Sequence, residues 1–498
     1  MSPNSHYLAF DLGAESGRAV VGLLGDKGLA LSTLHRFPNG PVRVFEHLYW
    51  DVLRLFGEIK NALGMYRLEY GPTLGGIGVD TWGVDLALLG RDDQLLGNPH
   101  HYRDPRTVGM LKEAFRLVPR EEIFQYTGIQ FMEINSLYQL LAMKRRGDPA
   151  LEQAKALLMM PDLFNFWLTG IKACEFSDAT TTQFYDPRAR DWARPLLAKL
   201  GLPTHFLQEI VPPGTVLGTL HPSVAEETGL DSVPVIAPAC HDTGSAVAAV
   251  PARGRDFAYI SSGTWSLMGV EIPEPVISAE SLAFNFTNEG GVCGTFRLLK
   301  NIMGLWLVQE CRRAWAHEGD ELSYDEITAL AAKATPFGPL IEPDSVEFLR
   351  PGDMPRRIQD FCRRTGQRVP ETKGEIARCA LESLALKYRW ALEKLEKMLG
   401  RRLEVIHVVG GGSQNRLLCQ LTADATGRPV VGGPVEATAI GNILMQILAQ
   451  GQIASLAEGR ELVRRSFETI DYEPTSPKAW DEAYERFIEL RHQVPEVQ

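Results

Sequence analysis

Hydrophobic positions in this chain come in short blocks that stop at small polar turns. An apolar run from Tyr7 ends at Asp11, and a second run, Ala19 to Leu24, follows the turn Gly13-Ala-Glu-Ser-Gly-Arg18. Two such runs around a glycine-bearing turn predict strand, turn, strand. Ile77-Gly-Val and Val84-Asp-Leu-Ala-Leu-Leu89 bracket Asp80-Thr-Trp-Gly83, a strand whose polar turn can face a ligand. Val233 to Ala239 is continuously apolar, stops at His241-Asp-Thr-Gly244 and gives way to Ser245-Ala-Val-Ala-Ala-Val250. This predicts a buried strand turning sharply into a helix whose slim face permits close packing. A fourth block, Leu403 to Val409, leads through Gly410-Gly-Gly412 to a helix from about Arg416.

Helical periodicity fills much of the rest. Asp51 starts a helix with Val52, Leu55, Phe56, Ile59 and Leu63 on one face, and a longer one spans Gly374 to Leu399 with Ile376, Ala380, Leu384, Tyr388, Ala391 and Leu395 aligned. Leu111 to Leu168 reads as largely helical, punctuated by Gly128, Gly147 and Pro161, with Gly170 capping the last helix. Phe296 to Gln309 passes from strand to helix with Asn301 near the join. Asn285 to Cys293 reads as polar loop, Gly432 to Gly441 as a strand-to-helix loop, and Trp480, Tyr484, Phe487 and Ile488 mark a packing helix.

The opening pattern recurs at mid-chain. Phe257 to Val270 lies on Tyr7 to Val20, with Gly263 on Gly13 and Ser266 on Ser16, which suggests two similar lobes. Two such hairpins facing across a cleft could grip one polyphosphate from both sides.

Length allows two or three domains, and 45% hydrophobic with 23% charged residues is ordinary for a globular chain. A net charge of -11 argues against a nucleic-acid partner, which needs a concentrated basic face. Lys144-Arg-Arg146 and Arg312-Arg313 read as solvated helix faces. The seven cysteines show no metal-ligand spacing, so reduced thiols are expected, with Cys362 and Cys379 able to approach each other across a turn. Met1 to His6 carries no basic signal region and no apolar run reaches membrane-spanning length, so a cytoplasmic protein with no membrane partner is expected.

Asp242 is the only acidic side chain between Asp231 and Asp256. A carboxylate at a strand-to-helix turn is either a helix cap or a general base, and the two roles are compatible. Asp11, at a strand end, could hold magnesium through water, and the turn to Arg18 could bring backbone N–H groups and a positive charge onto a phosphate. Gly83 would let a ligand approach the backbone, Trp82 is either a sugar wall or a core residue, and His100 to Arg106 suits a binding loop. His100 and His101 point different ways and form no metal site by themselves.

These blocks together resemble the FGGY carbohydrate kinases of the actin-like ATPase fold, most closely the branch that phosphorylates L-rhamnulose. The blocks are Asp11 to Arg18, His35 to Gly40, Asp80 to Asp85, Tyr102 to Arg106, His241 to Gly244, Ser261 to Trp265, Lys300 to Gly304 and Val409 to Gly412. The resemblance implies an α/β protein of two actin-like (ribonuclease H-like) lobes, each a mixed sheet flanked by helices, around a central cleft. Expected limits are 1–248 for a sugar and phosphate lobe, 249–455 for a nucleotide lobe and 456–498 for a helical segment that could pack back on the first lobe. It implies transfer of a phosphoryl group from ATP, with Mg2+, to the 1-hydroxyl of L-rhamnulose, Asp242 being the base. Positions matching Ala14, Glu15, Ser16, Gly17, Arg18, Thr264, Asn301, Gln309 and Gly411 would bind ATP. Gly83, His241, Asp242 and Thr243 would bind the ketose, and Asp11 would lie near the metal. L-fuculose or another ketose is the alternative substrate; a non-catalytic sensor or an actin-like filament protein are the other readings. Ala14 stands where the wider family has Thr, Glu15 must point away from a phosphate, and Thr422 and Thr426 replace cysteines of some relatives.

Overall fold

A computed structural model describes residues 5–475 and 478–494. Met1 to Asn4, part of the segment read above for a signal region, lie outside the described residues. The chain divides into two compact units. The first comprises residues 1–251, 271–298 and 437–467; the second comprises 252–270, 299–436 and 468–498. The segments 271–298 and 437–467 are thus grouped with the N-terminal residues, and the last helix, Ala479–Gln493, with the second unit.

The first unit is built on a six-stranded mixed sheet. Its strands are β1 (Ser5–Leu12), β2 (Ser16–Gly25), β3 (Gly28–Pro38), β4 (Gly76–Thr81), β5 (Thr215–Thr219) and β6 (Pro234–Ala237), in the order β5-β6-β4-β1-β2-β3. β1, β2 and β3 form an antiparallel meander, while β4 runs parallel to β1 and β6 parallel to β4. The parallel strands are buried on both faces, which is why they read as unbroken apolar runs. Helix Val52–Tyr70 starts where expected: the Asp51 side chain accepts from Arg54 N–H. It buries Val52, Leu55, Ile59 and Leu63 in one core with Leu8, Phe10 and Val79. Each such side chain stabilises the unit by about 1.5–3 kcal/mol on removal from water.

Three local expectations change. Ala156–Met159 is a buried strand inside the stretch read as helical, its four apolar residues being too few to show a period. Gly441 sits inside the helix Ala437–Ala449 rather than in a loop. Asn285 to Cys293 is no polar loop: Thr287–Gly290 is a strand buried along its whole length. Its polar side chains are satisfied internally, as when Asn288 Nδ2 donates to the Gly128 carbonyl at 2.9 Å.

The second unit carries β7 (Phe257–Ser262), most of β8 (Trp265–Ile272) and of β9 (Phe296–Met303), β10 (Val405–Val409), β11 (Val430–Gly432) and β12 (Ile470–Tyr472), in the order β9-β8-β7-β10-β11-β12, while residues 271–272 of β8 and 296–298 of β9 are grouped with the first unit. β7 and β8 form an antiparallel hairpin and β10 runs parallel to β7, the same plan as β1, β2 and β4. The repeat is real in topology, but its turns differ by one residue. Gly13 N–H bonds to the Ser16 carbonyl, whereas Gly263 N–H bonds to that of Trp265. Ser266 therefore lies within β8, buried against the Tyr388 hydroxyl at 2.6 Å, while Ser16 is exposed. The long helix Lys373–Leu399 is capped by a reciprocal Thr372–Glu375 pair and ended by left-handed Gly400. Cys362 and Cys379 meet as free thiols, and the hydrogen bond between them helps push the Cys379 thiol well above its usual range.

Candidate active site

The carboxyl ends of β1, β4 and β6 gather the acidic residues of the first unit. Asp11 and Asp80 are register partners on the parallel pair β1 and β4, and Thr81 N–H donates to the Cys240 carbonyl at 2.9 Å. Parallel strands that end together place the residues following them on one edge. Asp242, just beyond β6, shares that edge.

Asp242 is the first residue of the helix Asp242–Ala248, and His241 occupies the cap position without a side-chain cap bond. The cap expected of Asp242 is thus displaced by one residue, because the chain enters helical geometry earlier. Its carboxylate still takes a free helix N–H: Oδ1 accepts from Thr243 N at 2.5 Å and Thr243 Oγ1 at 3.2 Å. The side chain keeps 30% of its surface open. Crowding by protein atoms raises its pKa, opposed first by His241, whose Nε2 lies 3.5 Å from Oδ1, and reinforced by Asp11. A partly open carboxylate with a raised pKa is suited to accept a proton.

Asp80 is fully buried, and its Oδ2 accepts from Asn442 Nδ2 at 2.6 Å while Oδ1 has no hydrogen-bond partner. Burial first, then Asp11, raises its pKa well above the carboxylate range. Asp11 Oδ2 accepts from Arg18 Nε at 2.9 Å and Nη2 at 2.6 Å. Arg18 is therefore paired with Asp11, so its charge at the turn is shared with that carboxylate. The turn itself is braced by Asn39, whose Nδ2 donates to the Gly13 carbonyl and whose N–H donates to that of Glu15. Glu15 and Ser16 are exposed and Ala14 half-buried. Gly17 must be glycine, since a Cβ there would stand 2.3 Å from the Phe37 ring. Asp11, Asp80 and Asp242 share this edge, with Asp80 Oδ1 an orphaned buried oxygen, and the three are spaced too widely to act together as direct ligands of one ion. That chemistry fits a magnesium ion, which keeps its waters and needs few direct carboxylates.

The loop of Gly83 hangs on Asp85. Trp50 Nε1, Trp82 Nε1 and Tyr102 N–H donate to its Oδ2, and Gln139 Nε2 to its Oδ1. Burial pushes its carboxyl up to about 6 against these bonds. Trp82 stacks on Trp50 with centroids 3.8 Å apart and is 5% exposed, so it is a core residue and no sugar wall. His101 packs on the other Trp50 contact at 4.3 Å. By pattern Asp85 stands out only as the end of a block and Trp50 not at all, since apart from Trp82 the partners of Asp85 are distant in sequence.

Glu175 is the other hidden organiser. Its Oε2 accepts from Cys240 N at 2.9 Å and from Ser177 Oγ at 2.5 Å, while Ser177 Oγ accepts from His241 N at 3.1 Å. It therefore fixes the backbone just ahead of Asp242. Burial pushes its carboxyl up to about 7 from an ordinary 4.5. Because the folded pKa is raised, this group's contribution to stability is fully present below pH 4.5 and is lost as pH rises to 7. The loss is on the order of 3 kcal/mol. Urea midpoints of Glu175→Gln, read against the unsubstituted protein at pH 5 and pH 8, should improve in relative terms at the higher pH. An equal difference at both values would show that Glu175 does not titrate with folding.

In the second unit the β7–β8 turn gathers the remaining candidates. The Gly263 and Thr264 carbonyls accept from Leu305 and Trp306 N–H, at the start of the helix Trp306–His317 that carries Gln309. Gln309 Oε1 is buried without a hydrogen-bond partner. Asn301 lies on β9, three positions before Gly304, where a Cβ would stand 2.5 Å from Ser266 Oγ. The three glycines have separate reasons. A Cβ on Gly410 or Gly412 would meet Ser262, at 3.0 and 2.0 Å, whereas Gly411 is exposed with nothing within 4 Å. Gly411 alone thus leaves its backbone open to a flat or anionic ligand. Thr422 and Thr426 bond carbonyls of their own helix.

Among the described residues one group has metal-ligand spacing, His47, His100 and Asp104. Arg106 Nη1 lies 2.9 Å from His100 Nδ1 and Arg146 Nη1 3.5 Å from His47 Nε2. Burial, then Arg106, pushes His100 down to about 3. Two guanidinium groups at that spot oppose a dication.

Residues 6–249 match the N-terminal domain, and 258–450 the C-terminal domain, of the FGGY family of carbohydrate kinases. The chain is 48% identical over 482 residues to a protein of Bacteroides thetaiotaomicron named rhamnulokinase, covering 97% of this chain and 98% of that one. A rhamnulokinase of Halalkalibacterium halodurans is 43% identical over 468 residues, 94% of this chain and 98% of its own. In structure the chain is similar to a ligand-bound xylulose kinase from Lactobacillus acidophilus, with TM-score 0.81, 17% identity and 98% coverage of both chains. It is also similar to Plasmodium falciparum glycerol kinase with ADP, with TM-score 0.75, 16% identity and coverage of 99% and 97%. At such identities the likeness is one of fold, the actin-like ATPase fold of FGGY sugar kinases.

Proposed function

The chain belongs to the FGGY family of carbohydrate kinases, and from that premise we propose that it transfers the γ-phosphoryl group of ATP to the 1-hydroxyl of L-rhamnulose. The products are L-rhamnulose 1-phosphate and ADP. The observation that carries the reading is the Asp242 carboxylate: held through Oδ1 by Thr243, partly open, and raised in pKa at the edge that Asp11 and Asp80 share. Full-length relatives named rhamnulokinase support the choice of sugar.

Phosphoryl transfer asks a protein for in-line positioning, charge neutralisation and a group to take one proton. In this reading Asp242 accepts the proton of the 1-hydroxyl as its oxygen bonds to phosphorus and the bond to the ADP oxygen breaks. Gly83, His241 and Thr243 hold the ketose. Ala14, Glu15, Ser16, Gly17 and Arg18 line the phosphates through their backbone, and Thr264, Asn301, Gln309 and Gly411 hold the nucleotide. Asp11 would lie near the magnesium ion, which would supply neutralisation of phosphate charge when bound. The first lobe, 1–248, would then serve sugar and phosphate and the second, 249–455, the nucleotide. No helix among the described residues is long and apolar enough to cross a membrane.

A coupled ADP-release assay over a panel of ketoses tests the assignment. L-rhamnulose should give the highest kcat/KM, with L-fuculose and the pentuloses well below it. ADP release with L-rhamnulose no faster than in its absence, while another ketose supports turnover, would overturn the choice of sugar.

A further inference from the structure

His241 touches the base on one side and two buried charges on the other. Its Nε2 lies 3.5 Å from Asp242 Oδ1, and its Nδ1 lies 3.2 Å from Arg297 Nη2 and 3.3 Å from Glu289 Oε2. The Arg297 side chain is 0% exposed; Nε donates to the Gly290 carbonyl at 2.8 Å and Nη2 reaches Glu289 Oε2 at 3.2 Å. All four residues fall in the first compact unit. A guanidinium this deeply buried costs several kcal/mol in lost hydration unless it is paired and bonded.

We propose that Arg297 is a positioning residue for Asp242, acting through His241, with Glu289 as its counter-charge. The inference rests on the reading of Asp242 as the base. The reasoning is one of donors and acceptors. A guanidinium has five N–H donors and no acceptor. With Arg297 Nη2 donating to it, Nδ1 must present its lone pair. The neutral ring then carries its proton on Nε2, facing Asp242. Thr243 N, Thr243 Oγ1 and His241 Nε2 all address Oδ1. Among the described residues none donates to Oδ2. Two hydrogen bonds and the facing imidazole on one oxygen pin the carboxylate's rotation and leave Oδ2 to take the proton. Without Arg297, the nearby Glu289 would draw the ring proton to Nδ1, and the Nε2 lone pair would then face the Asp242 carboxylate. Lone pair against carboxylate is repulsive and would turn the base.

Other charges face this pair from the elements packed around it. Asp11 and Asp80 come from β1 and β4, Arg18 is tied to Asp11, and Asp178 belongs to the helix Phe176–Ala179. Glu175 lies one residue behind, on Cys240 N. These set the background field, and only Arg297 and Glu289 touch the ring's far nitrogen.

The deciding measurement needs no substitution in the protein observed. Full-length protein labelled with 15N-histidine, with His241→Asn identifying the resonance, should show His241 neutral, protonated on Nε2 and bare on Nδ1 at pH 7.5. A proton on Nδ1, alone or in an imidazolium, would overturn the proposal. Steady-state kinetics supply the functional arm. Arg297→Met should lower kcat by about tenfold to hundredfold, the scale of a misplaced reacting group, while KM for ATP stays within twofold. Arg297→Lys, which keeps a donor and the charge, should recover part of the loss in kcat. An unchanged kcat in a folded Arg297→Met protein would also overturn it. Full turnover by Asp242→Asn would instead bring down the reading of the base itself, whatever tautomer His241 shows.

Discussion

Asp242→Asn is expected to reduce kcat with L-rhamnulose by about 10²–10⁴-fold, the usual worth of a positioned general base. The substitution is close to isosteric. An amide oxygen at Oδ1 still accepts from Thr243 N and Oγ1, so the helix start and the fold should survive. What is lost is the capacity to take the hydroxyl proton. The pH profile separates this from a packing effect. In the unsubstituted protein the Asp242 pKa is raised, chiefly by burial, so activity should fall as pH drops through a value above that of an ordinary aspartate. The residual activity of the Asn variant should lack that limb. Steady-state ADP release from pH 5 to 9, with a thermal melt on the same samples, checks both. Turnover within threefold of the unsubstituted protein would remove Asp242 from the mechanism and leave the fold untouched.

The parts of this site that could be read from sequence are those in which an apolar strand stops at a polar turn. Asp11, Asp80, His241-Asp-Thr243 and Gly410-Gly-Gly412 all have that form, because a buried strand must be apolar and its end must not be. The parts that could not be read are buried polar residues whose partners are remote. Glu175 meets Cys240, Asp80 meets Asn442, and Asp85 collects donors from Trp50, Trp82, Tyr102 and Gln139. Nothing in the local pattern around Glu175 or Asn442 marks them, since a satisfied buried polar side chain and a solvated one look alike in sequence. Thr287–Gly290 is the plainest case. Thr-Asn-Glu-Gly has no apolar face and reads as loop, yet it forms a strand that brings Glu289 to Arg297. Trp82 shows the converse, a residue equally suited by pattern to a sugar face or a core and held in the core by Trp50. The hairpin repeat was legible in composition and strand order. The one-residue difference in its turns was not, because both carry glycine and serine at the same spacing.

The small residues after Asp242 were legible too, and they lead to the largest stability effect expected in this chain. A Cβ on Gly441 would stand 1.7 Å from the Ser245 carbonyl oxygen, and one on Gly244 would meet Ala239 Cβ at 2.9 Å. The helices Asp242–Ala248 and Ala437–Ala449 therefore approach backbone to backbone, in the same unit, and the next residue along, Asn442, reaches Asp80. Two effects of Gly441→Ala oppose each other. Alanine gains up to about 1 kcal/mol in helix propensity. Overpacking ordinarily costs about 1–3 kcal/mol, and here the neighbour is a backbone carbonyl that cannot swing aside, so the cost lies at the top of that range or above it. The clash wins, and the helices must part. Parting them also stretches the Asn442 bond and leaves the buried Asp80 carboxylate without its partner, at about 1–3 kcal/mol more. Gly57→Ala isolates the propensity gain, because Gly57 lies in the helix Val52–Tyr70 with nothing within 4 Å of a Cβ. Urea midpoints should rise slightly for Gly57→Ala and fall steeply for Gly441→Ala, with ADP release lost alongside. Equal midpoints for the two variants would mean that the helices do not touch at Gly441.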